Sequence, residues 1–381
     1  MHRDLSGELF YMDEANRMIW LITIYLCAFF ITALLTPAAI AIAKKTGAMD
    51  IPKDNRRIHT KPIPRIGGMA IFVGVTSAVL LALALGLLRG DGVTSEKIEG
   101  ILIGGTLIYV LGTVDDIKNL SPLVKLTGQI ICAIVVFCYG NRIGFIANYF
   151  GGHGTQELAG VVGFIITVLW IVAITNTINL VDGVDGLAAG IVAIASLCIA
   201  YVAYIFGYYP GCLCMLAVAG GALGFLPFNF YPAKTFMGDG GSLFLGFMIA
   251  NFSILEPVKR ATMVAVLIPV LVLALPIFDT IWAIIRRKVN GRPVMQADKG
   301  HLHHRLMKAG LGQRRTVLLM YGICGIMGTA AVLLSRELYV EAGGLMAVAA
   351  MYVFIVMTDA RTKKPHIREN RKEDENKDQN K

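Results

Sequence analysis

Five aspartates stand at the ends of apolar segments: Asp115, Asp116, Asp182, Asp185 and Asp239. Carboxylates are costly next to hydrocarbon, and they persist there mainly when they pair, bind a cation or handle a substrate. Counting the apolar segments along the chain places all five on the same side of a membrane. Several carboxylates at one face indicate a divalent-metal site, and with it an enzyme that works at the membrane surface.

The composition is that of a chain built to lie in a bilayer. Of its 381 residues, 56% are hydrophobic and 16% are charged, whereas about a quarter of a soluble domain is charged. Apolar runs long enough to span recur almost from end to end, which requires helical spans. The net charge of +9 does not indicate a nucleic-acid partner, because the basic residues gather in a few loops, as topology signals do.

The sequence therefore predicts an all-α, polytopic integral membrane protein with about eleven transmembrane helices. Lys and Arg concentrate in the loops 44–65 and 286–315, which places the N-terminus outside and the C-terminus in the cytoplasm. Residues 1–18 then form an extracytoplasmic segment, 19–358 the transmembrane domain with cytoplasmic active-site loops, and 359–381 a disordered cytoplasmic tail. The helices are expected near 19–43, 66–88, 98–114, 122–140, 160–178, 186–206, 211–230, 240–255, 262–285, 316–335 and 341–358.

The pair Asp115 and Asp116 ends the third helix in the run GTVDDIKNLSP. Adjacent helical residues point about 100° apart, so the two carboxylates need not share one ligand. Together they raise the local negative field, which attracts Mg²⁺. The alternative is a solvated helix end followed by a turn.

The run NTINLVDGVDGLAAG places Asn179, Asp182 and Asp185 three residues apart. In helical geometry they would line one face. The alternative is two Asp-Gly turns that link the fifth and sixth helices. With Asn176, the segment holds two amides and two carboxylates, which is more than a turn needs, so ligand binding is favoured.

Asp239 lies in the run FMGDGGS, where Gly240, Gly241 and Ser242 open the eighth helix. The N-terminus of a helix offers free N–H groups and a positive dipole end, both favourable to phosphate. Asp239 could equally be a plain N-cap.

Basic groups that suit phosphates lie in two loops. His301, His303, His304 and Arg305 form the run HLHHR, whose histidines could bind a metal, donate to phosphate or shuttle protons. An exposed loop is the alternative. Lys61, in HTKPIPRIGG, suits a diphosphate but equally follows the positive-inside rule.

This combination favours phosphoryl transfer to an acceptor held in the membrane: acidic clusters can bind Mg²⁺, basic groups can bind phosphates, and the rest of the chain faces lipid. An ion-coupled transporter is the alternative from another class. It would place its carboxylates near mid-membrane in duplicated halves, and this chain has no internal repeat.

These motifs, in this order, resemble the polyprenyl-phosphate N-acetylhexosamine-1-phosphate transferase family. The likeness runs from about residue 59 to 306 and implies an eleven-helix fold in a bacterial cell membrane, with the site facing the cytoplasm. The HLHHR form resembles the branch that transfers GlcNAc-1-phosphate from UDP-GlcNAc to undecaprenyl phosphate, which starts teichoic acid or other surface polysaccharides.

The alternative branch is the phospho-N-acetylmuramoyl-pentapeptide transferases of peptidoglycan synthesis. They carry three consecutive histidines, and they have Thr-Pro-Thr-Met-Gly-Gly where this chain has Ile63-Pro64-Arg65-Ile66-Gly67-Gly68. One departure from the favoured branch is Asn119, where some of its members carry another acid.

The resemblance implies attack by the lipid phosphate on the β-phosphorus of the UDP-sugar, release of UMP, and a Mg²⁺ cofactor, with Mn²⁺ as the alternative. It assigns Mg²⁺ to Asp239 and Asp182, and the lipid phosphate to Asp115 and Asp116, one of them as a general base. Positioning should outweigh deprotonation, because the second pKa of a phosphate monoester is near ~6. A homodimer fits the same resemblance. Asp182 and Asp185 would also surround the nucleotide, and the other implied substrate contacts are Lys61, Asn176, Asn179, Asn229, Phe236, His301, His303, His304 and Arg305.

Overall fold

The fold is a bundle of helices joined mostly by short connections. A computed structural model describes residues 13–51, 62–89, 93–147, 155–158, 160–255, 268–289, 291, 305–307 and 310–362.

Within these ranges the chain forms eleven helices of at least 15 residues and two short antiparallel hairpins, β1–β2 and β3–β4. In chain order they are α1 Glu14–Thr46, β1 Met49–Asp50, β2 Ile63–Pro64, α2 Gly68–Ala84, α3 Ser95–Lys118, α4 Pro122–Cys138, β3 Phe145–Ala147, β4 Thr155–Glu157, α5 Gly160–Val181, α6 Leu187–Ile205, α7 Tyr209–Asn229, α8 Gly238–Phe252, α9 Ala274–Val289, α10 Gln313–Ser335 and α11 Tyr339–Thr362.

Six of these helices, α1, α3, α5, α6, α7 and α10, are long and apolar enough to cross a membrane. Large apolar side chains such as Leu34 on α1 and Leu169 on α5 lie exposed on their outer faces. A bilayer would cover such faces, whereas a soluble protein seldom leaves many of them open. The chain is therefore a mostly helical, membrane-integral protein.

Most helices lie close to the predicted positions. The differences are at the two ends of the chain and at the ninth helix, which was predicted over 262–285 and runs over Ala274–Val289, after a turn at Leu273. α1 begins at Glu14 rather than near residue 19, because Asp13 caps it by accepting a hydrogen bond from the Asn16 amide at 3.0 Å. α11 continues to Thr362, into the stretch predicted as a disordered tail. Residues 1–12 and 363–381 are not among those described.

α8 lies in the centre of the bundle. Every one of its residues is buried except Asp239. It packs against α2, α3 and α5, and the ring of Phe244 meets Phe72 of α2 edge-on, at 5.2 Å between centroids. At 15 residues the helix is roughly 22 Å long, shorter than the hydrocarbon core of a bilayer. Its neighbours therefore shield it, and its first turn is where the buried core opens.

The segment before α2 is held against the start of α8 by backbone hydrogen bonds. The Phe236 amide donates to the Pro64 carbonyl at 2.8 Å, and the Gly67 amide donates to the Phe236 carbonyl at 3.0 Å. The Thr235 hydroxyl also donates to the Pro64 carbonyl, at 3.0 Å. These bonds bring Arg65 to the N-terminus of α8.

Candidate active site

A lysine ammonium lies at the centre of the site. Lys125, in the first turns of α4, places its Nζ 2.8 Å from Oδ2 of Asp115 and 3.2 Å from Oδ2 of Asp239. It also donates to Oδ1 of Asn179 at 3.2 Å. The three partners come from α3, α8 and α5, so one cation joins four helices at a single point.

Lys125 was not among the site residues predicted from the sequence. The signal that could have found it is its position in the run PLVKLTGQII, near the N-terminus of an otherwise apolar helix. The dipole of a helix disfavours a cation at that end, so a lysine there needs acidic partners from elsewhere.

Asp116 closes the N-terminus of α8. Its Oδ1 accepts a hydrogen bond from the Asp239 amide at 2.9 Å, and its Oδ2 accepts one from the Gly240 amide at 3.0 Å. Nε of Arg65 lies 3.0 Å from Oδ1. Gly238 has φ +68°, and a Cβ there would collide with the Asp116 carboxylate. A side chain of α3 thus satisfies the free amides of α8.

This geometry corrects the reading of Asp239 as a plain N-cap. The helix begins at Gly238, so Asp239 lies in its first turn, and the capping carboxylate belongs to Asp116. The N-cap residue of α8, Met237, makes no side-chain capping hydrogen bond.

Asp239 is more accessible than Asp115 and Asp116. Its side chain is 23% exposed, against 8% for Asp115 and 7% for Asp116. Oδ1 of Asp239 accepts a hydrogen bond from Asn179 Nδ2 at 2.6 Å, and Nη2 of Arg65 lies 3.8 Å from its Oδ2. Asp115 has less freedom, because its Oδ1 accepts the Leu120 amide at 2.7 Å while its Oδ2 faces Lys125.

The prediction that Asn179, Asp182 and Asp185 line one helical face is wrong. α5 ends at Val181, and both aspartates lie in the turns before α6, so two Asp-Gly turns describe the backbone. Asp185 points to another connection, where its Oδ2 accepts the Ala233 amide at 3.0 Å.

Asp182 lies in the negative field of the cluster. Desolvation, followed by the charges of Asp239 and Asp116, raises the pKa of the Asp182 carboxyl well above its ordinary value. Because the nearby carboxylates already repel one another, a proton or a cation at Asp182 lowers the energy of the whole group.

Asn176 belongs to a second polar contact between α4 and α5. Its Oδ1 accepts from Nε2 of Gln129 at 3.2 Å, and its Nδ2 donates to Oε1 of Gln129 and to the Val172 carbonyl. Gln129 lies one turn from Lys125, and Asn176 one turn from Asn179, so the two helices meet in two successive polar rungs.

Asn229 holds two loops together. It is 1% exposed; its Oδ1 accepts the Gly186 amide at 3.0 Å, and its Nδ2 donates to the Thr235 carbonyl at 3.0 Å. Phe236 is half-buried and fixed through its backbone, and Arg305 is half-buried in a single helical turn. The other predicted contacts, Lys61, His301, His303 and His304, fall outside the described residues.

The carboxylates of this site suit a metal ion whose remaining ligands come from a substrate. Among the described residues, no three Asp, Glu, His or Cys side chains could hold a metal ion by themselves. Mg²⁺ commonly binds one or two carboxylates and completes its shell with water and substrate phosphates. Four aspartates (115, 116, 182 and 239) here lie near two basic side chains, Arg65 and Lys125. This negative excess fits a divalent cation.

Comparison with known proteins agrees with this arrangement. Residues 98–256, which include all five aspartates and Lys125, match the model of glycosyl transferase family 4. A protein of Bacillus subtilis (strain 168), named probable undecaprenyl-phosphate N-acetylglucosaminyl 1-phosphate transferase, is 42% identical over 324 residues, 85% of this chain and 87% of the relative. The chain belongs to glycosyl transferase family 4.

Two further relatives carry related names. The decaprenyl-phosphate N-acetylglucosaminephosphotransferase of Mycolicibacterium smegmatis is 36% identical over 87% of this chain and 86% of its own length. The undecaprenyl-phosphate alpha-N-acetylglucosaminyl 1-phosphate transferase of Escherichia coli (strain K12) is 24% identical over 86% and 87%. Membership of this family makes the chain a transferase and sets aside the ion-coupled transporter.

Proposed function

We propose that this protein transfers GlcNAc-1-phosphate from UDP-GlcNAc to undecaprenyl phosphate, releasing UMP and forming undecaprenyl-diphospho-GlcNAc. The observation that carries the proposal is the Lys125 ammonium shared by Asp115 and Asp239 at one end of the bundle. A buried cation ringed by carboxylates offers positive charge to the acceptor phosphate and negative charge to a metal ion. Two of the relatives described above are named as transferases of this kind, one for undecaprenyl phosphate and one for decaprenyl phosphate.

In this reaction an oxygen of the lipid phosphate bonds to the β-phosphorus of UDP-GlcNAc. The bond from that phosphorus to the bridging oxygen breaks, and UMP leaves with the electron pair. The acceptor needs little deprotonation, since a phosphate monoester is largely dianionic at neutral pH. Catalysis then depends on positioning and on neutralising charge.

The residues divide these tasks according to their contacts. Lys125 and Arg65 would draw the lipid phosphate to the start of α8. Asp115 would orient Lys125, and Asp116, whose carboxylate oxygens already accept two amides and Arg65, would position α8 rather than act as a base.

Asp239 and Asp182 would hold Mg²⁺, or Mn²⁺ in its place, and such an ion would neutralise the diphosphate charge during transfer. Asn179 would keep Asp239 oriented through its 2.6 Å hydrogen bond. Lys61, His301, His303, His304 and Arg305 stay predicted donors to the diphosphate and the sugar.

We also propose eleven spans, the N-terminus outside, and a site that faces the cytoplasm of a bacterial cell. The basic last turns of α1 (Lys44, Lys45) and α9 (Arg286, Arg287, Lys288) support this orientation. If successive helices alternate in direction, both turns lie at the end of the bundle that holds the aspartates. Assembly as a homodimer stays a prediction.

The branch of the family is tested with two donors. Purified protein in detergent receives undecaprenyl phosphate, Mg²⁺ and either UDP-GlcNAc or UDP-MurNAc-pentapeptide, and UMP release is measured. We expect release with UDP-GlcNAc alone, and its loss in Asp239→Ala. Release only with the pentapeptide donor would contradict the choice of sugar while keeping the chemistry.

A further inference from the structure

α10 reaches the connection between α5 and α6 through one hydroxyl. The Tyr321 hydroxyl donates to the carbonyl of Gly186, which also accepts the first helical hydrogen bond of α6, from the Gly190 amide at 3.1 Å. The Gly186 amide in turn donates to Asn229 at 3.0 Å. The last residue of the Asp182–Gly186 connection is therefore held on one side by α10 and on the other by α7.

The Tyr321 ring occupies a space on the surface of α6 beside Gly190. A Cβ at Gly190 would collide with the Tyr321 ring, so α6 leaves room for the ring only because residue 190 is glycine. The ring is partly buried and packs against the apolar core of the bundle. A side chain confined in this way has few accessible rotamers, so its hydroxyl is directed at a single carbonyl.

A second contact of α10 holds the neighbouring connection. Nε of Arg314 donates to the Tyr231 carbonyl at 3.2 Å, and the two connections are joined by the 3.0 Å hydrogen bond from the Ala233 amide to Asp185. α10 therefore braces both connections that border the aspartate cluster.

We propose that Tyr321 is a positioning residue for the donor substrate: by fixing the Gly186 carbonyl, it orders the Asp182–Gly186 connection that borders the aspartate cluster. This inference rests on the proposed function, because it takes UDP-GlcNAc as the ligand on the Asp182 side. Tyr321 lies outside the matched 98–256 segment and touches none of the aspartates directly in the described chain.

The test compares Tyr321→Phe, which keeps the ring and removes only the hydroxyl, with Tyr201→Phe. Tyr201 is the matched control because its hydroxyl bonds to Arg336, at the far end of α10. In Tyr321→Phe we expect the KM for UDP-GlcNAc to rise about three- to tenfold, the change in an equilibrium constant that one hydrogen bond is worth. The KM for undecaprenyl phosphate should stay at the wild-type value, and Tyr201→Phe should change neither.

Hydrogen exchange of the peptide that covers 182–190 provides a readout without turnover. We expect faster exchange there in Tyr321→Phe. We expect the same in Gly190→Ala, because the added Cβ fills the space of the Tyr321 ring, and no change in Tyr201→Phe. Unchanged exchange and an unchanged donor KM would overturn the proposal, as would an equal rise in both KM values. If the wild type used another donor, the proposed function would fail, while the exchange result would still decide whether Tyr321 orders this connection.

Discussion

The positive charge of Lys125 offsets the negative charges of Asp115 and Asp239, which would otherwise repel each other in a poorly solvated part of the bundle. Its side chain is 17% exposed and that of Asp115 is 8% exposed. Removing one partner of such a group leaves the other as an unpaired charge, which costs far more than the pair contributes. The site thus depends on a residue that is neither a general base nor one of the proposed metal ligands.

Lys125→Met should lower turnover by about 100-fold or more, because it removes the positive charge offered to the acceptor phosphate. Lys125→Arg should keep the fold and part of the activity. UMP release by folded protein in detergent is the measurement, and Lys118→Met, an exposed cation in the last turn of α3, is the control. Near-normal turnover in Lys125→Met would show that the positive charge of Lys125 is not needed for the reaction.

The raised pKa of Asp182 predicts that protons compete with Mg²⁺. The protonated form persists to higher pH than in an ordinary carboxyl, and a metal ion needs the ionised form. The apparent affinity for Mg²⁺ should therefore weaken as pH falls through this pKa. Mg²⁺ titrations of UMP release at several pH values would measure the effect, with Asp182→Asn as the comparison. An affinity independent of pH in the wild type would argue against Asp182 as a ligand.

At the scale of elements, α3 and α8 are joined by a cap that crosses between helices. Asp116→Ala would leave the Asp239 and Gly240 amides without their acceptor and Arg65 without its partner. We expect a loss of about 1–2 kcal/mol of stability, as for other helix caps. Asp116→Asn should recover part of it, since one acceptor oxygen remains. Thermal unfolding in detergent measures both, and a wild-type melting temperature in Asp116→Ala would refute the capping role.

α4 and α5 are joined by polar rungs inside an apolar interface. Gln129→Leu should destabilise the protein by about 1–3 kcal/mol, because it leaves the Asn176 amide short of a partner. The double variant Gln129→Leu with Asn176→Leu should lose less than the sum of the two single variants. Chemical or thermal unfolding of the four proteins gives the coupling energy, and simple additivity would mean that the rung contributes nothing.

The helices could be read from the sequence because a bilayer demands long apolar runs, so α4 and α5 begin at the residues expected. The aspartates could be found for the same reason, since each interrupts or ends such a run. Their partners could not be found, because periodicity says nothing about which helices are neighbours. That Asp116 caps α8, or that Lys125 faces Asp239, depends on contacts between elements far apart in the chain.

On the scale of the whole molecule, the site is built around the exposed end of one central helix. α8 is surrounded by its neighbours along its length, and its single accessible side chain, Asp239, lies where α3, α4 and α5 converge. A rigid support of this kind keeps reacting groups in place without reorganisation. We therefore expect the phosphorylated sugar to be transferred to the lipid, with little loss to water.

The most direct test follows the β-phosphorus. UDP-GlcNAc carrying a radioactive β-phosphate is incubated with the purified protein, Mg²⁺ and undecaprenyl phosphate, and the label is followed into the organic phase while UMP is counted. We predict one labelled lipid for each UMP released, and neither product from Asp239→Asn. Label that stays water-soluble while UMP appears, or no UMP from folded protein, would contradict the account.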